Sequence, residues 1–325
     1  MKFNYETKSL KTSEIPVLLT LHVRSSNLEN QLSILKRAGI ERIFVSIDGA
    51  RDDTDYRNQK IINQILNLYK HEFREFKVRK LSENQGIAVA MITAIDWFFS
   101  RNQYGVIFED DIEFQVDTLK YFALSLPKIK ELERVLLISG FQPFFKSIDQ
   151  EQVVFTNYPQ IWGWATYSEK WLEMRKYILE QPPIMRKIEL AKRKFWQVGW
   201  QRVQKGYLDT WDLPIATGML FANKLCMLPP SNLTSNVGAD AYSTNTHVNT
   251  FPLGVKIEKL PLELRFEIPS NEAEIIDINS KFEAEIYQIK RRNILSLQLS
   301  RLDRFRFRHK KRSSLKARLQ LLSGS

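Results

Sequence analysis

From Ile15 to Phe114 the chain sets four short apolar runs apart by three helix-length segments, a rhythm that few folds accept. Val17-Leu18-Leu19-Thr20-Leu21 is followed by Leu28, Leu32 and Leu35 at helical spacing, with Asn27 in the N-cap position and Gly39 in the C-cap position. Ile43 to Ile47 is the second run, and Ile61, Ile62, Ile65, Leu66 and Tyr69 mark the helix after it. Phe76 to Leu81 is the third, with a helix from about Ile87 to Phe99, and Gly105 to Phe108 is the fourth. A helix from about Val116 to Glu131 and a core strand from Val135 to Gly140 continue the pattern. Strands separated by a dozen helical residues need right-handed crossovers, so the chain is expected to be α/β, with a mostly parallel sheet covered by helices on both faces.

Such sheets bind ligands beyond the carboxyl ends of their strands. Here those ends carry Arg24, Asp48, the loop Asn84-Gln85-Gly86, and the acidic run Glu109-Asp110-Asp111. Three adjacent carboxylates repel one another, and beside a buried strand they call for a cation. The bland reading is a solvated acidic turn; a fourth strand end beside Arg24 and Asp48 favours a metal-nucleotide site. If the strand stays regular, alternation puts Glu109 and Asp111 on one side and Asp110 on the other. A cation, a carboxylate, a tight polar loop and an acid cluster together suit a nucleoside diphosphate with its metal. Hard oxygen donors point to Mn²⁺ or Mg²⁺, and the lack of cysteine clusters sets zinc aside. Neither Gly-x-Gly-x-x-Gly nor a phosphate-cradling Walker loop is present, which excludes the familiar dinucleotide and ATP sites.

Further along, Ile161-Trp162-Gly163-Trp164 and then Trp171 combine a glycine with flat aromatic rings. Packing explains any one tryptophan, but a glycine there also admits close approach of a ligand, and aromatic faces suit sugar rings. Asp209 and Asp212 flank Thr210-Trp211, and each alone reads as a cap or a surface charge. His247, downstream, matters only if it folds back on the acid run.

The net charge of +11 looks like a nucleic-acid signature until it is located. Residues 290–325 hold 12 of the 48 Lys and Arg but only Asp303 of the 37 acids, so residues 1–289 carry 36 of each and are neutral. The expected division is a catalytic domain over 1–265 and a basic helical C-terminal extension over 266–325. Arginines interleaved with Leu302, Phe305 and Phe307 read as an amphipathic segment on an anionic membrane surface, with a solvated tail as the alternative. No nucleic-acid module is recognisable, and no nucleic-acid partner is expected. One cysteine, Cys226, and no long apolar run point to a cytoplasmic protein, peripheral on the inner membrane face.

With these pieces in order, the sequence resembles the GT-A (Rossmann-like) class of nucleotide-sugar glycosyltransferases. It is similar in particular to the family of the N-acetylglucosaminyltransferase that begins complex N-glycan branching, with its bacterial relatives. The matching stretches are Ile15-Pro16-Val17 with Arg24, Val45-Ser46-Ile47-Asp48, Phe108 to Glu113, Gly163-Trp164 before Trp171, and Trp211-Asp212, within about residues 15–250. The resemblance implies Arg24 near the pyrophosphate, Asp48 near base or ribose, Glu109 and Asp110 on ribose and donor sugar, and Asp111 on the metal. Asn84, Gly86, Gly163 and Trp164 complete the expected donor site, and His247 is a second expected metal neighbour. An acid after the tryptophan-rich region serves as base in that family. Asp212 is the preferred match over Asp209, although the animal members have adjacent acids where this chain inserts Thr210-Trp211. The implied activity is transfer of a sugar, UDP-linked by expectation, to a hydroxyl of a glycan or lipid-linked glycan with inversion. Two alternatives stand beside it. A sugar nucleotidyltransferase would carry a glycine-rich loop with Arg and Lys soon after the first strand, which His22 to Asn27 does not. A non-catalytic membrane- or polyanion-binding adaptor would keep the fold without the chemistry.

Overall fold

In a computed structural model the described residues are 9–144, 151–185, 188–238, 255–269, 271–287, 289 and 313–323. The first half is the expected alternation: β1 (Val17–Leu21), α1 (Leu28–Arg37), β2 (Arg42–Ile47), α2 (Asp53–Tyr69), β3 (Glu75–Lys80), α3 (Ile87–Phe99) and β4 (Tyr104–Glu109). There follow β5 (Ile112–Phe114), α4 (Val116–Ile129), β6 (Val135–Ser139), β7 (Val154–Thr156), β8 (Trp164–Tyr167), α5 (Ser168–Leu179), α6 (Leu190–Gln204), α7 (Asp212–Phe221), β9 (Leu225–Leu228) and β10 (Thr234–Asn236). The C-terminal part contributes α8 (Glu272–Lys281), a π-helical turn Phe282–Ile286, and α9 (Leu315–Ser323).

Eight strands form one sheet in the order β3-β2-β1-β4-β8-β6-β9-β7. The pairs β3·β2, β2·β1, β1·β4 and β6·β9 are parallel, while β8, lodged between β4 and β6, runs antiparallel to both. The expected α/β, mostly parallel, helix-covered architecture is the one observed. β5 and β10 make a separate antiparallel ribbon beyond the end of β4.

Each central strand is buried on both faces, and its residues divide by alternation. Val17, Leu19, Leu21, Ile43, Val45, Ile47, Val106 and Phe108 pack against α1, α2 and α4. Leu18, Phe44 and Ile107 face the other way, into α3, α5, α6 and α7. That second core also takes in Phe282, Ile286 and Ile289 and, on α9, Leu315 and Leu319. Asn279 of α8 accepts from Thr156 Oγ1 at 2.8 Å and donates to Asn157 Oδ1 at 2.7 Å, which fastens α8 to β7. The described parts of the C-terminal extension therefore share a core with the sheet. The basic run 290–312 lies outside the described residues. Among the described residues, no helix is long and apolar enough to cross a membrane.

Candidate functional site

Parallel register is what assembles the site. Thr20 of β1 lies opposite Ser46 of β2 and Glu109 of β4, and Ile47 lies opposite Lys80 of β3, so four carboxyl ends finish side by side. Arg24, Asp48, the 84–86 loop and Glu109–Asp111 emerge from those ends.

β4 stops at Glu109, and Asp110 and Asp111 form the turn into β5. Alternation consequently does not continue through the acids: Asp110 and Asp111 both turn toward Arg24 instead of pointing apart. Arg24 Nη1 lies 2.7 Å from Asp110 Oδ1 and 3.5 Å from Asp111 Oδ2, and the His22 amide donates to Asp110 Oδ2 at 3.3 Å. The turn is held from beneath by two amides, Gln31, which has no obvious signal in the sequence, and Asn27, which the sequence marks only as the N-cap of α1. Gln31 Nε2 donates to the carbonyls of Glu109 (2.9 Å) and Ile112 (2.8 Å), and Asn27 Nδ2 donates to Ile112 O at 2.9 Å. An amide pattern at α1 opposite an acidic turn is visible only once the fold is known. From the far side, Val237 N–H donates to Asp111 O at 2.9 Å, and Gly238 lies so close that a Cβ there would sit 2.2 Å from Asp111 Oδ2.

Burial, then repulsion from Asp111, pushes Asp110 up to about 7, with Arg24 pulling the other way. Glu109 is raised well above the carboxylate range by burial and by the charges of Asp111, Asp110 and Asp212. Among the described residues, Glu109, Asp110, Asp111 and Asp212 gather carboxyl oxygens around Arg24 in a partly desolvated setting, and such hard oxygen donors fit a divalent cation. Among the described residues no three His, Cys, Asp or Glu side chains converge as a ready-made metal cluster. His247 lies outside the described residues.

Asp48 is committed to the neighbouring loop. Its Oδ1 accepts from the amides of Gly49 (2.8 Å) and Gln85 (2.9 Å), and its Oδ2 accepts from Asn84 Nδ2 at 2.8 Å. Asn84 Nδ2 also donates to Gly49 O at 3.1 Å and lies 3.3 Å from His22 Nε2. Burial raises Asp48, while the amides of Gln85, Gly49 and Gly86 offset part of the rise. Gly86, at φ +76°, is the N-cap of α3, so Asp48 also sits at the start of that helix. His22, half-buried, is 3.4 Å from Asp55 Oδ2, and burial first, then the Arg51 charge, holds its imidazole below the ordinary value.

Asp212 opens α7 and accepts from Thr210 Oγ1. Its charge acts on both Glu109 and Tyr287, and Tyr287 is in turn hydrogen-bonded to Gln160. The preceding residue, Trp211, stacks on Trp164 of β8 with centroids 5.7 Å apart and planes at 28°, which moors the start of α7 beside β4. Trp164 is 1% exposed, so its ring gives its faces to the core and none to a ligand. Gly163 adopts φ +76°, and the close approach it permits is to Phe108 (2.8 Å from an added Cβ) and Thr234 (3.0 Å). Asp209, three residues before Asp212, is buried and paired with Arg318 of α9 at 3.1 Å. Arg24, Glu109, Asp110, Asp111 and Asp212 are thus brought together, and Asp48, Asn84 and Gly86 form the adjoining wall. Tyr287 and Arg318 join them from the C-terminal extension.

No protein-family model matches the chain, and neither does any curated protein. Among solved structures the likenesses include the glycosyltransferase GlyE of Streptococcus pneumoniae TIGR4, 12% identical over 66% of this chain and 45% of that one, at a TM-score of 0.36. A UDP-glucose pyrophosphorylase complexed with UDP-glucose is 8% identical over 68% and 92% of the two chains, TM-score 0.36. HddC from Yersinia pseudotuberculosis is 12% identical over 52% and 80%, TM-score 0.30. This chain spans less than half of GlyE, and the fold assignment rests on strand order and register, not on likenesses this distant.

Proposed function

We propose that the chain is a glycosyltransferase that moves a sugar from a nucleoside diphosphate, UDP by preference, to a hydroxyl of a glycan or lipid-linked glycan. The observation that carries the reading is the convergence of Arg24, Glu109, Asp110 and Asp111 at adjacent strand ends, with Asp212 near enough for its charge to act on Glu109. Arg24 would meet the diphosphate, and the Asn84–Gly86 loop, locked by Asp48, would border the nucleoside. Asp111 would hold Mn²⁺ or Mg²⁺; Mg²⁺ is commonly bound through one or two carboxylates completed by substrate phosphates, so no cluster of three is required. When bound, the cation neutralises charge growing on the leaving phosphate oxygen.

Asp212 would accept the proton of the acceptor hydroxyl as its oxygen bonds to the anomeric carbon. The bond from that carbon to the phosphate oxygen breaks, and the nucleoside diphosphate leaves with the electron pair. Attack opposite the departing group inverts the anomeric centre. Asp212 suits the role better than Asp209, whose carboxylate is already engaged by Arg318. An anionic membrane surface is proposed as partner for the basic run 290–312, with a cytoplasmic location at the inner membrane face.

The deciding experiment measures release of nucleoside diphosphate from UDP-, GDP- and dTDP-sugars, with and without Mn²⁺ or Mg²⁺. Asp111→Ala should abolish turnover and metal-dependent nucleotide binding, whereas Asp212→Asn should lower turnover roughly 10²–10⁴-fold and leave binding in place. Pyrophosphate release from a nucleoside triphosphate plus a sugar 1-phosphate, with no turnover of any nucleotide sugar, would replace this reading with a nucleotidyltransferase.

A further inference from the structure

We infer that α9 is part of the candidate site, with Arg318 a positioning residue that ties the nucleotide-side loop to the turn bearing the proposed base. The inference deepens the transferase reading and rests on it for the loops' roles, although the bridge itself is visible in the geometry. Leu315 and Leu319, one helical turn apart, are 1% and 7% exposed and sink α9 into the core shared with α3 and α6. Arg318, on the adjoining face, is carried to the space between two loops. Its Nη1 lies 3.1 Å from Asp209 Oδ1, and its Nη2 donates to the carbonyl of Gln85. The pair is withdrawn from solvent, with side chains 13% and 6% exposed.

Each arm of that fork ends on something the site uses. The Gln85 peptide is gripped on its other side by Asp48, which accepts the Gln85 amide at 2.9 Å. Arg318 therefore closes a chain of hydrogen bonds running from α9 through Gln85 to Asp48 at the end of β2. Asp209 belongs to the short turn, entered through Gly206 at φ +74°, that delivers Asp212 to α7. The bridge joins positions 109 and 233 residues away along the chain. A guanidinium can serve two acceptors from one plane, which an ammonium on a flexible stem does not reproduce. Burial of Leu315 and Leu319 attaches the helix without calling on a charge. Buried ion pairs add little net stability, and their better-attested use is to fix one arrangement over others.

The test uses the full chain with Arg318→Met, Arg318→Lys and the double variant Arg318→Met with Asp209→Asn. The double variant removes both charges, so that no buried carboxylate is left unpaired and folding is protected. Amide hydrogen exchange of residues 83–86 and 206–211 is read alongside kcat and KM for the nucleotide-sugar donor. Arg318→Met and the double variant should each speed exchange at least tenfold in both loops, lower kcat at least tenfold and raise donor KM. Arg318→Lys should recover part of the Asp209-side protection and little at Gln85. Unchanged exchange in both loops overturns the bridge. Increased turnover overturns it too, because α9 would then be obstructing the site. A lowered melting temperature with kcat and KM intact would reduce Arg318 to a stabilising contact. If the wild-type chain turns over no nucleotide sugar, the transferase reading fails, and the exchange data still decide whether Arg318 couples the loops.

Discussion

Replacing Arg24 with Gln removes the guanidinium that pairs with Asp110 and Asp111 and leaves the acids in place. The Arg24, Asp110 and Asp111 side chains are 9%, 13% and 17% exposed, so solvent screens the group weakly. Breaking such a pair by removing one partner costs about 3–5 kcal/mol. For a chain of this size, each kcal/mol lowers the melting temperature by roughly 2 °C, so the loss should be about 6–10 °C at pH 8 in a chelator. The pH dependence identifies the cause. Asp110 sits near 7 when folded, above its ordinary value of 3.8, so the folded state binds the proton more tightly. The stability this contributes is full at low pH and is lost as pH rises through about 7. Arg24 opposes that rise, so without it Asp110 and Glu109 are lifted further, and the variant keeps losing stability where the wild type has levelled off. At pH 5 Asp110 is largely protonated in both proteins, and the deficit should shrink. Scanning calorimetry of both proteins at pH 5 and pH 8 measures it, and Mg²⁺ or Mn²⁺ at pH 8 should narrow the gap. An equal deficit at the two pH values would refute the electrostatic argument and make Arg24 a packing residue.

Gly49→Ala places a Cβ 2.1–2.5 Å from the backbone of Glu83 and Asn84, which cannot yield as a side-chain tip can. Urea denaturation should show a loss of about 1–3 kcal/mol, the usual range for overpacking, with a raised donor KM because the 84–86 loop is displaced. Gly163→Ala combines φ +76° with a 2.8 Å contact to the Phe108 ring, and should cost about 2–4 kcal/mol without changing donor KM in the protein that remains folded. Asp212→Asn should lower kcat roughly 10²–10⁴-fold, the span of general base catalysis, at nearly constant donor KM; wild-type turnover in that variant would exclude Asp212 as the base.

The strand ends were legible because each rests on a local signal. A run such as Val17–Leu21 or Ile43–Ile47 has one comfortable structure, and parallel pairing then forces Arg24, Asp48 and Glu109 into one row. The acid turn itself was not legible. Counting by twos through Glu109-Asp110-Asp111 assumes a strand that persists, whereas repulsion among the acids and the pull of Arg24 favour a turn that lets two of them converge. Trp164 misleads for a related reason: a tryptophan beside a glycine looks the same in sequence whether its neighbour is a sugar or, as here, Trp211. Gln31 carried no signal, because a buried amide that satisfies two carbonyls is indistinguishable in sequence from a polar residue on an exposed helix face, and Asn27 was legible as the N-cap of α1 but not as a donor to Ile112 O.

The C-terminal extension shows how charge counting can be locally right and still miss position. Its excess of basic residues is real, yet Arg318 is held between Asp209 and Gln85, and the Leu315 and Leu319 side chains are buried in the core. Leu315 and Leu319 are occupied in the core, so the proposed membrane contact rests on the basic run 290–312. This separates two experiments that would otherwise be confused. A chain ending at residue 289 loses the basic run and Arg318 together, so a loss of activity in it says nothing about membranes. Neutralising Arg301, Arg304, Arg306 and Arg308 in the full chain leaves α9 in place. Loss of binding to anionic vesicles in that variant, with turnover of a water-soluble acceptor retained, would assign attachment to the basic run and catalytic positioning to α9. Equal vesicle binding by variant and wild type would remove the membrane partner and leave Tyr287 and Arg318 as the extension's contributions to the site.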